Sequence, residues 1–128
     1  MTTALDASKL IDNDSFRFLL QLHLRGAKGL RRAQVYDPRT YTTRPGVAIE
    51  TTDGSHAEAI AHPQNDGQYP VVQAGRQRLW DNVEAAYQLW QHLGQPHPDR
   101  FGVVANPGTQ FVWYGNDDSW YRWPLPLV

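Results

Sequence analysis

The chain contains no cysteine, which excludes disulfides, thiolate chemistry and zinc sites built from cysteine. Its formal net charge is only −1, so no overall electric field would attract nucleic acid or an anionic membrane. The longest apolar runs are far shorter than the ~20 residues of a membrane span, and no signal-peptide hydrophobic region follows Met1. We therefore expect a cytoplasmic protein that binds neither nucleic acid nor membranes.

Motifs for catalysis and for cofactor binding are also missing. No Gly-x-Ser-x-Gly elbow is present, and the Gly26 and Gly29 pair lacks the further glycines and the Lys-Ser/Thr of a nucleotide-binding loop. The histidines show no His-Glu-x-x-His context, and Asp117-Asp118 lies in a turn-like cluster where Asp ordinarily bonds to the backbone. We expect no catalytic residue, no metal site and no cofactor.

The clearest secondary-structure pattern lies in residues 76–93, where apolar residues recur at the three-and-four spacing of one helical face. These residues are Leu79, Trp80, Val83, Ala86, Tyr87, Trp90 and Leu93. Gly94 can close the helix in a left-handed conformation, and Pro96 prevents the helix from resuming. The sequence therefore predicts one long amphipathic helix over 76–93.

The N-terminal part is less strongly patterned. Residues 1–12 are polar and predict an arm or a short helical lead-in, which leaves residues 13–128 as a single domain. Residues 14–24 begin with capping side chains and continue with a dense apolar run. This pattern favours a helix over 14–24, and a buried strand is the alternative.

Turn residues between short apolar runs predict hairpins. Asp53-Gly54 separates residues 47–51 from 56–60, and Asn106-Pro107-Gly108 lies between two aromatic-rich runs. Residues 37–46 read as a loop because Pro38 and Pro45 interrupt a hydrogen-bonded ladder. The expected fold is α+β: a small antiparallel sheet of about five or six strands built from hairpins and packed by the two helices, with the later hairpin under the long helix.

Two groups of residues are candidates for binding. The first is the basic segment 25–32, with Arg25, Arg31 and Arg32, which predicts a loop that binds phosphate or acidic peptide residues. A solvated loop at a helix C-terminus would have the same composition. The second group is the aromatic cluster Trp113, Tyr114, Trp120, Tyr121 and Trp123.

The aromatic cluster can be divided by strand periodicity. On one strand, Phe111 and Trp113 face one side while Val112 and Tyr114 face the other. We expect one set to meet the long helix. The other set, with the tail aromatics, could form an exposed groove for a peptide, unless the tail folds back and both sets are core.

Several short runs follow one another in a characteristic order: Arg78-Leu-Trp-Asp-Asn-Val-Glu-Ala-Ala-Tyr, Trp90, Gly94-Gln-Pro, Asp99-Arg-Phe-Gly-Val, Gln110-Phe-Val-Trp and Trp123-Pro-Leu. This series resembles the C-terminal domain of actinobacterial protein-L-isoaspartate O-methyltransferase homologues that tailor ribosomally made peptides. Asp53-Gly-Ser and Gln73-Ala-Gly fit the same pattern. The resemblance covers roughly residues 16–125 and is looser before residue 45.

In that family an N-terminal Rossmann-like domain binds S-adenosylmethionine and methylates an aspartate of the peptide. That domain is missing here, so the resemblance implies a non-catalytic module whose partner is a peptide substrate or a methyltransferase acting in natural-product biosynthesis. A second copy of the chain is a further candidate partner. The alternative hypothesis is a small enzyme or a small-molecule-binding protein with a pocket between helix and sheet, edged by His23 or the arginines of residues 25–32.

Overall fold

The computed structural model describes residues 1–24, 26–115 and 120–124, apart from the side chains of residues 104–106, 109 and 120. In this part of the chain, eight strands form two antiparallel sheets and three α-helices accompany them. The elements are β1 (Thr2–Thr3), α1 (Ala7–Ile11), α2 (Asp14–His23), β2 (Ala27–Asp37), β3 (Thr42–Thr51), β4 (His56–Ile60), β5 (Tyr69–Ala74), α3 (Leu79–His92), a 3₁₀ turn (Pro98–Arg100), β6 (Gly102–Asn106), β7 (Thr109–Gly115) and β8 (Trp120–Pro124). The predicted α+β class is confirmed.

The larger sheet has five strands in the order β1-β5-β4-β3-β2. Its central hairpin joins β3 to β4 through the predicted turn, in which Gly54 takes a φ of +87°. At one edge the two residues of β1 pair with β5, and at the other edge β2 pairs with β3. The eleven-residue β2 is therefore a long edge strand.

The prediction of loops over 25–32 and 37–46 is wrong for most of those residues. β2 begins at Ala27, and β3 begins at Thr42 and includes Pro45. The Pro45 carbonyl accepts the N–H of Ala61 at 3.0 Å, just beyond the end of β4. In a strand the N–H of a residue points to the same side as its carbonyl, so the N–H that Pro45 lacks would also point toward Ala61. The proline therefore costs at most one hydrogen bond of the β3–β4 ladder, at the end of β4. Arg25 lies outside the described residues.

The N-terminal helix is confirmed in place of the strand alternative. Asn13 caps α2 by accepting the backbone N–H of Phe16 at 3.0 Å. Residues 1–12 form β1 and α1, and the α1 side chains of Ala7, Leu10 and Ile11 are buried in the core.

The long helix α3 starts at Leu79, three residues later than the predicted start at 76. Its N-cap residue, Arg78, makes no capping hydrogen bond through its side chain. The cap comes instead from β5, where Gln73 Oε1 accepts the N–H of Trp80 at 3.0 Å. Gly94 follows the helix with the predicted left-handed backbone, at a φ of +80°.

The sheet beneath α3 differs from the expected one. α3 packs against α2 and lies over β4 and β5 of the larger sheet. The later hairpin forms a separate three-stranded sheet in the order β6-β7-β8, which reaches the core beyond the C-terminal end of α3. The strands therefore divide between two sheets, whereas the sequence analysis expected one.

The main core lies between the helices and the five-stranded sheet. Phe16 is fully buried and meets the rings of Tyr87 and Trp90 edge-on, with centroids 5.8 and 5.9 Å away. Trp90 also donates its indole N–H to Ser15 Oγ at 2.9 Å. None of the described helices is long and apolar enough to cross a membrane.

Candidate functional site

The aromatic candidates lie on the two faces of the three-stranded sheet, with the predicted alternation along β7. Val112 and Tyr114 are buried, whereas Phe111 and Trp113 are half-buried on the opposite face. The Tyr114 hydroxyl donates to the carbonyl of Leu93 at 3.2 Å, which ties this sheet to the end of α3. Tyr114 is therefore a core residue.

The tail aromatics of β8 follow the buried face. Val112 pairs with Trp123 and Tyr114 pairs with Tyr121, so these residues share one side of the sheet. Trp123 is buried, and Tyr121 stacks on it with ring centroids 6.3 Å apart. The side chain of Trp120 lies outside the described residues. Of the described aromatics of β8, Trp123 and Tyr121 thus pack toward the core.

Trp113 is the candidate aromatic that the structure places on the outer face. Its ring covers Gly102, where an added Cβ would lie 2.2 Å from Trp113 Cε2. The neighbouring Arg122 guanidinium lies over the Phe111 ring, 5.0 Å from its centroid. This face combines two half-buried rings with one cation.

The arginine candidates lie on a strand instead of in a loop. Arg31 and Arg32 are consecutive in β2, so their exposed side chains point to opposite faces of the sheet. Arg32 pairs with Asp12, and Lys28 lies 3.7 Å from Glu50. Arg31 has no ion pair among the described residues. The cations therefore line a strand and do not converge on one anion.

Along its outer edge, β2 pairs with no other strand of the described part of the chain. Gln34 lies opposite Pro45, whose carbonyl points away from β2 toward Ala61. In an antiparallel ladder this makes Gln34 and Pro45 a non-hydrogen-bonded pair, so the N–H and C=O of Gln34 point outward. The alternation along a strand gives Arg32 and Tyr36 the same outward direction.

Next to this edge lies a buried ion cluster. The Asp37 side chain is 0% exposed and accepts Arg39 Nε and Nη2, both at 2.9 Å, and the Arg39 backbone N–H at 3.0 Å. Arg44 Nε lies 3.0 Å from Asp37 Oδ2. The hydrogen bonds from Arg39 lower the pKa of Asp37 to about 2, against the opposing effect of burial.

This cluster predicts acid sensitivity. Because the folded-state pKa of Asp37 is depressed, its stabilising contribution is present above pH 3.8 and is lost as the pH falls toward about 2. Urea unfolding of the wild type should show the free energy of unfolding falling across this window, with a smaller fall in Asp37→Asn. Asp66→Asn is the control, because its exposed carboxyl makes no ion pair in the described structure. Equal pH profiles for the wild type and Asp37→Asn would contradict the prediction.

The sequence analysis missed this cluster because it read residues 37–46 as a loop. The sequence contains one signal for it, because Asp37-Pro38 is a typical start of a β-turn. The structure shows this turn, in which the Thr40 N–H donates to the Asp37 carbonyl at 3.2 Å. A tight turn there would bring arginines on either side of it close to the same carboxylate.

The alternative pocket between helix and sheet is almost filled between α2 and β2, whereas an open cleft of about 420 Å³ lies between α3 and β1 and is lined by Thr3, Glu84 and Tyr87 among others. Between α2 and β2, a cavity lined by Leu20, Leu24 and Ile49 has a volume of about 10 Å³, space for roughly one water. Under α3, Trp80 and Val83 are fully buried. No group of three or more metal-ligating side chains occurs among the described residues.

Comparisons with known proteins give no relative for this chain: no protein-family model, no curated protein and no solved structure matches it. The resemblance to the methyltransferase C-terminal domain therefore stays a prediction from its motifs.

Proposed function

We propose that this chain is a non-catalytic accessory module that binds an extended acidic peptide by strand addition along β2. The observation that carries the proposal is the outward-facing backbone of Arg32, Gln34 and Tyr36 on an edge strand of eleven residues. In strand addition, main-chain hydrogen bonds supply the affinity and alternate side chains supply the specificity.

The charge of the edge indicates the chemistry of the peptide. Residues 27–36 include Lys28, Arg31 and Arg32 and no acidic residue. Lys28 and Arg32 already face Glu50 and Asp12, so Arg31 supplies the positive charge that has no ion pair among the described residues. Exposed ion pairs are worth about 0.2–1 kcal/mol each, so acidic side chains on the peptide would add selectivity that weakens with salt. The same cations disfavour edge-to-edge pairing of two copies of the chain, because like charges would face one another.

The sharpest test changes one backbone donor. Gln34→Pro removes an outward N–H but no bond between β2 and β3, so the fold should persist while strand addition is blocked. The probe is an acetylated, amidated peptide of alternating threonine and glutamate, roughly six residues long. Fluorescence anisotropy should show saturable binding to the wild type and to Gln34→Ala, and a loss of about tenfold or more in Gln34→Pro, equivalent to ~1.4 kcal/mol.

Charge variants separate peptide recognition from general attraction. Arg31→Glu should weaken binding of the glutamate peptide several-fold, and Arg76→Glu, exposed and outside β2, is the matched control. Amide NMR shifts should concentrate at Arg32, Gln34 and Tyr36. The proposal fails if a lysine-containing analogue binds equally well, if Gln34→Pro binds like Gln34→Ala, or if the chain instead dimerises through β2.

The proposal includes a biological role beside a methyltransferase. The motif series that resembles the methyltransferase C-terminal domain supports a role beside a separate isoaspartyl-type methyltransferase, which would act on the peptide held by this module. We propose a cytoplasmic location, with which the absence of cysteine is compatible. Single-turnover methylation of an extended acidic peptide that contains an aspartate should rise when wild-type module is added to such an enzyme, and Gln34→Pro should not support the increase.

A further inference from the structure

We propose a carboxylate-binding site in the open cleft between the β2–β3 turn and the loop that follows β4. The cleft has a volume of about 520 Å³, and its lining includes Arg39, Arg44, His62, Asn65 and Asp66. It is separate from the outward backbone of β2 and does not depend on the peptide site. Its ligand would be a small carboxylic acid or the carboxylate of a peptide.

The first argument is charge. Two guanidinium groups, from Arg39 and Arg44, surround the single buried carboxylate of Asp37, so this buried cluster has one positive charge in excess. The carboxylate of the cleft lining, Asp66, offsets that charge formally, but it is exposed and water screens it more strongly. The side chains of the two arginines are 32% and 29% exposed, and both line the cleft. A partly buried positive charge beside an open cleft attracts a singly charged anion more strongly than an exposed one does.

The second argument is hydrogen-bonding capacity. Arg39 uses Nε and Nη2 on Asp37 and shares Nη2 with the His62 carbonyl at 3.4 Å. Arg44 directs its buried Nε toward Asp37 Oδ2, 3.0 Å away, so this nitrogen is not open to a ligand. Its two terminal nitrogens, Nη1 and Nη2, make no hydrogen bond among the described residues, and their N–H groups can meet the two oxygens of a carboxylate in the cleft.

The balance of charges favours a carboxylate over a phosphate. One excess positive charge is neutralised by a monoanion. A phosphate dianion would add a second negative charge near Asp37 and near Asp66, which lies on the rim of the cleft.

The experiment follows the side-chain Nε–Hε and backbone amide NMR signals of the intact chain during titration at constant ionic strength. Sodium acetate should produce saturable shifts at Arg39 and Arg44, and acetamide should produce none. N-acetylglycine, which imitates a peptide C-terminus, distinguishes the two sources: tighter binding than acetate indicates a peptide carboxylate, and equal or weaker binding a free small acid. Non-saturating acetate shifts, or phosphate binding tighter than acetate, would overturn the proposal.

Two variants test the location of the site. Arg44→Gln should abolish saturable binding, with a thermal melt to check that the variant is folded. Asn65→Asp adds a negative charge at the cleft while leaving the Asp37 cluster intact, and should weaken acetate roughly two- to threefold. Gln88→Glu, which adds the same charge on exposed α3, should leave binding unchanged. Unchanged acetate binding in both cleft variants would refute the assignment.

Discussion

Replacing Trp80 with alanine should lower the free energy of unfolding by about 3–5 kcal/mol. The Trp80 side chain is 0% exposed and lies in the first turn of α3, where its backbone N–H is capped by Gln73 of β5. Truncation removes its contacts and leaves a cavity that this helix, fixed at its start, cannot easily close. The total free energy of unfolding of natural domains is about 5–15 kcal/mol, so the substitution should remove a large fraction of it. Urea unfolding followed by circular dichroism should measure this loss.

A comparison of two conservative variants sharpens this prediction. The indole Nε1 of Trp80 is buried and has no hydrogen-bond partner among the described residues, which costs about 1–3 kcal/mol. Trp80→Phe removes that unsatisfied donor along with some volume, so its loss should be well below that of Trp80→Ala. Trp90→Phe, in contrast, removes the hydrogen bond from the Trp90 indole N–H to Ser15 and relieves no unsatisfied donor. Its loss of stability therefore includes the cost of that bond. If Trp80→Phe proves as damaging as Trp80→Ala, the indole N–H has a partner such as a bound water.

The elements that the sequence predicted correctly are those fixed by local chemistry. The apolar face of α3, the left-handed Gly94 and the Asp53-Gly54 turn each depend on residues close together in the chain. Their patterns carry enough information because helix periodicity and positive φ are properties of a few neighbouring residues.

The features that could not be predicted depend on distant parts of the chain. Pro45 is tolerated in β3 only because β4 ends opposite it, and no pattern near residue 45 reports where β4 ends. The cap of α3 likewise comes from Gln73 on β5. The same reason explains why the hairpin at 102–115 was expected beneath α3, when other strands occupy that place.

For the candidate site, the alternation of side chains along β7 correctly placed Trp113 and Tyr114 on opposite faces of the sheet. It gave no means of deciding which of the two faces is exposed. The choice is made by packing, since Tyr114 meets Leu93 at the end of α3. The acid-sensitive cluster at Asp37 and the open edge at Gln34 both required the register of β2 against β3. Register is a tertiary property, because it is set by which faces are buried.

Gly46 tests that register directly, and its replacement by alanine should lower the free energy of unfolding by about 1–3 kcal/mol or more. A Cβ at Gly46 would lie 2.2 Å from the Ala59 carbonyl oxygen and 3.0 Å from Val35 Cγ2. The first contact is with backbone, so the strands themselves must move. Urea unfolding should show the loss.

Gly29→Ala is the matched control, because its Cβ would meet only the flexible end of Gln21 at 3.4 Å, an ordinary contact. Its effect on stability should be near zero. Gly46 pairs with Ala33 of β2 on one side and with Ile60 of β4 on the other, so a shift there displaces both hairpins and the edge next to Ala33. Equal stabilities of the two alanine variants would show that β3 has room at this point, and that the close approach of β4 does not fix the edge strand.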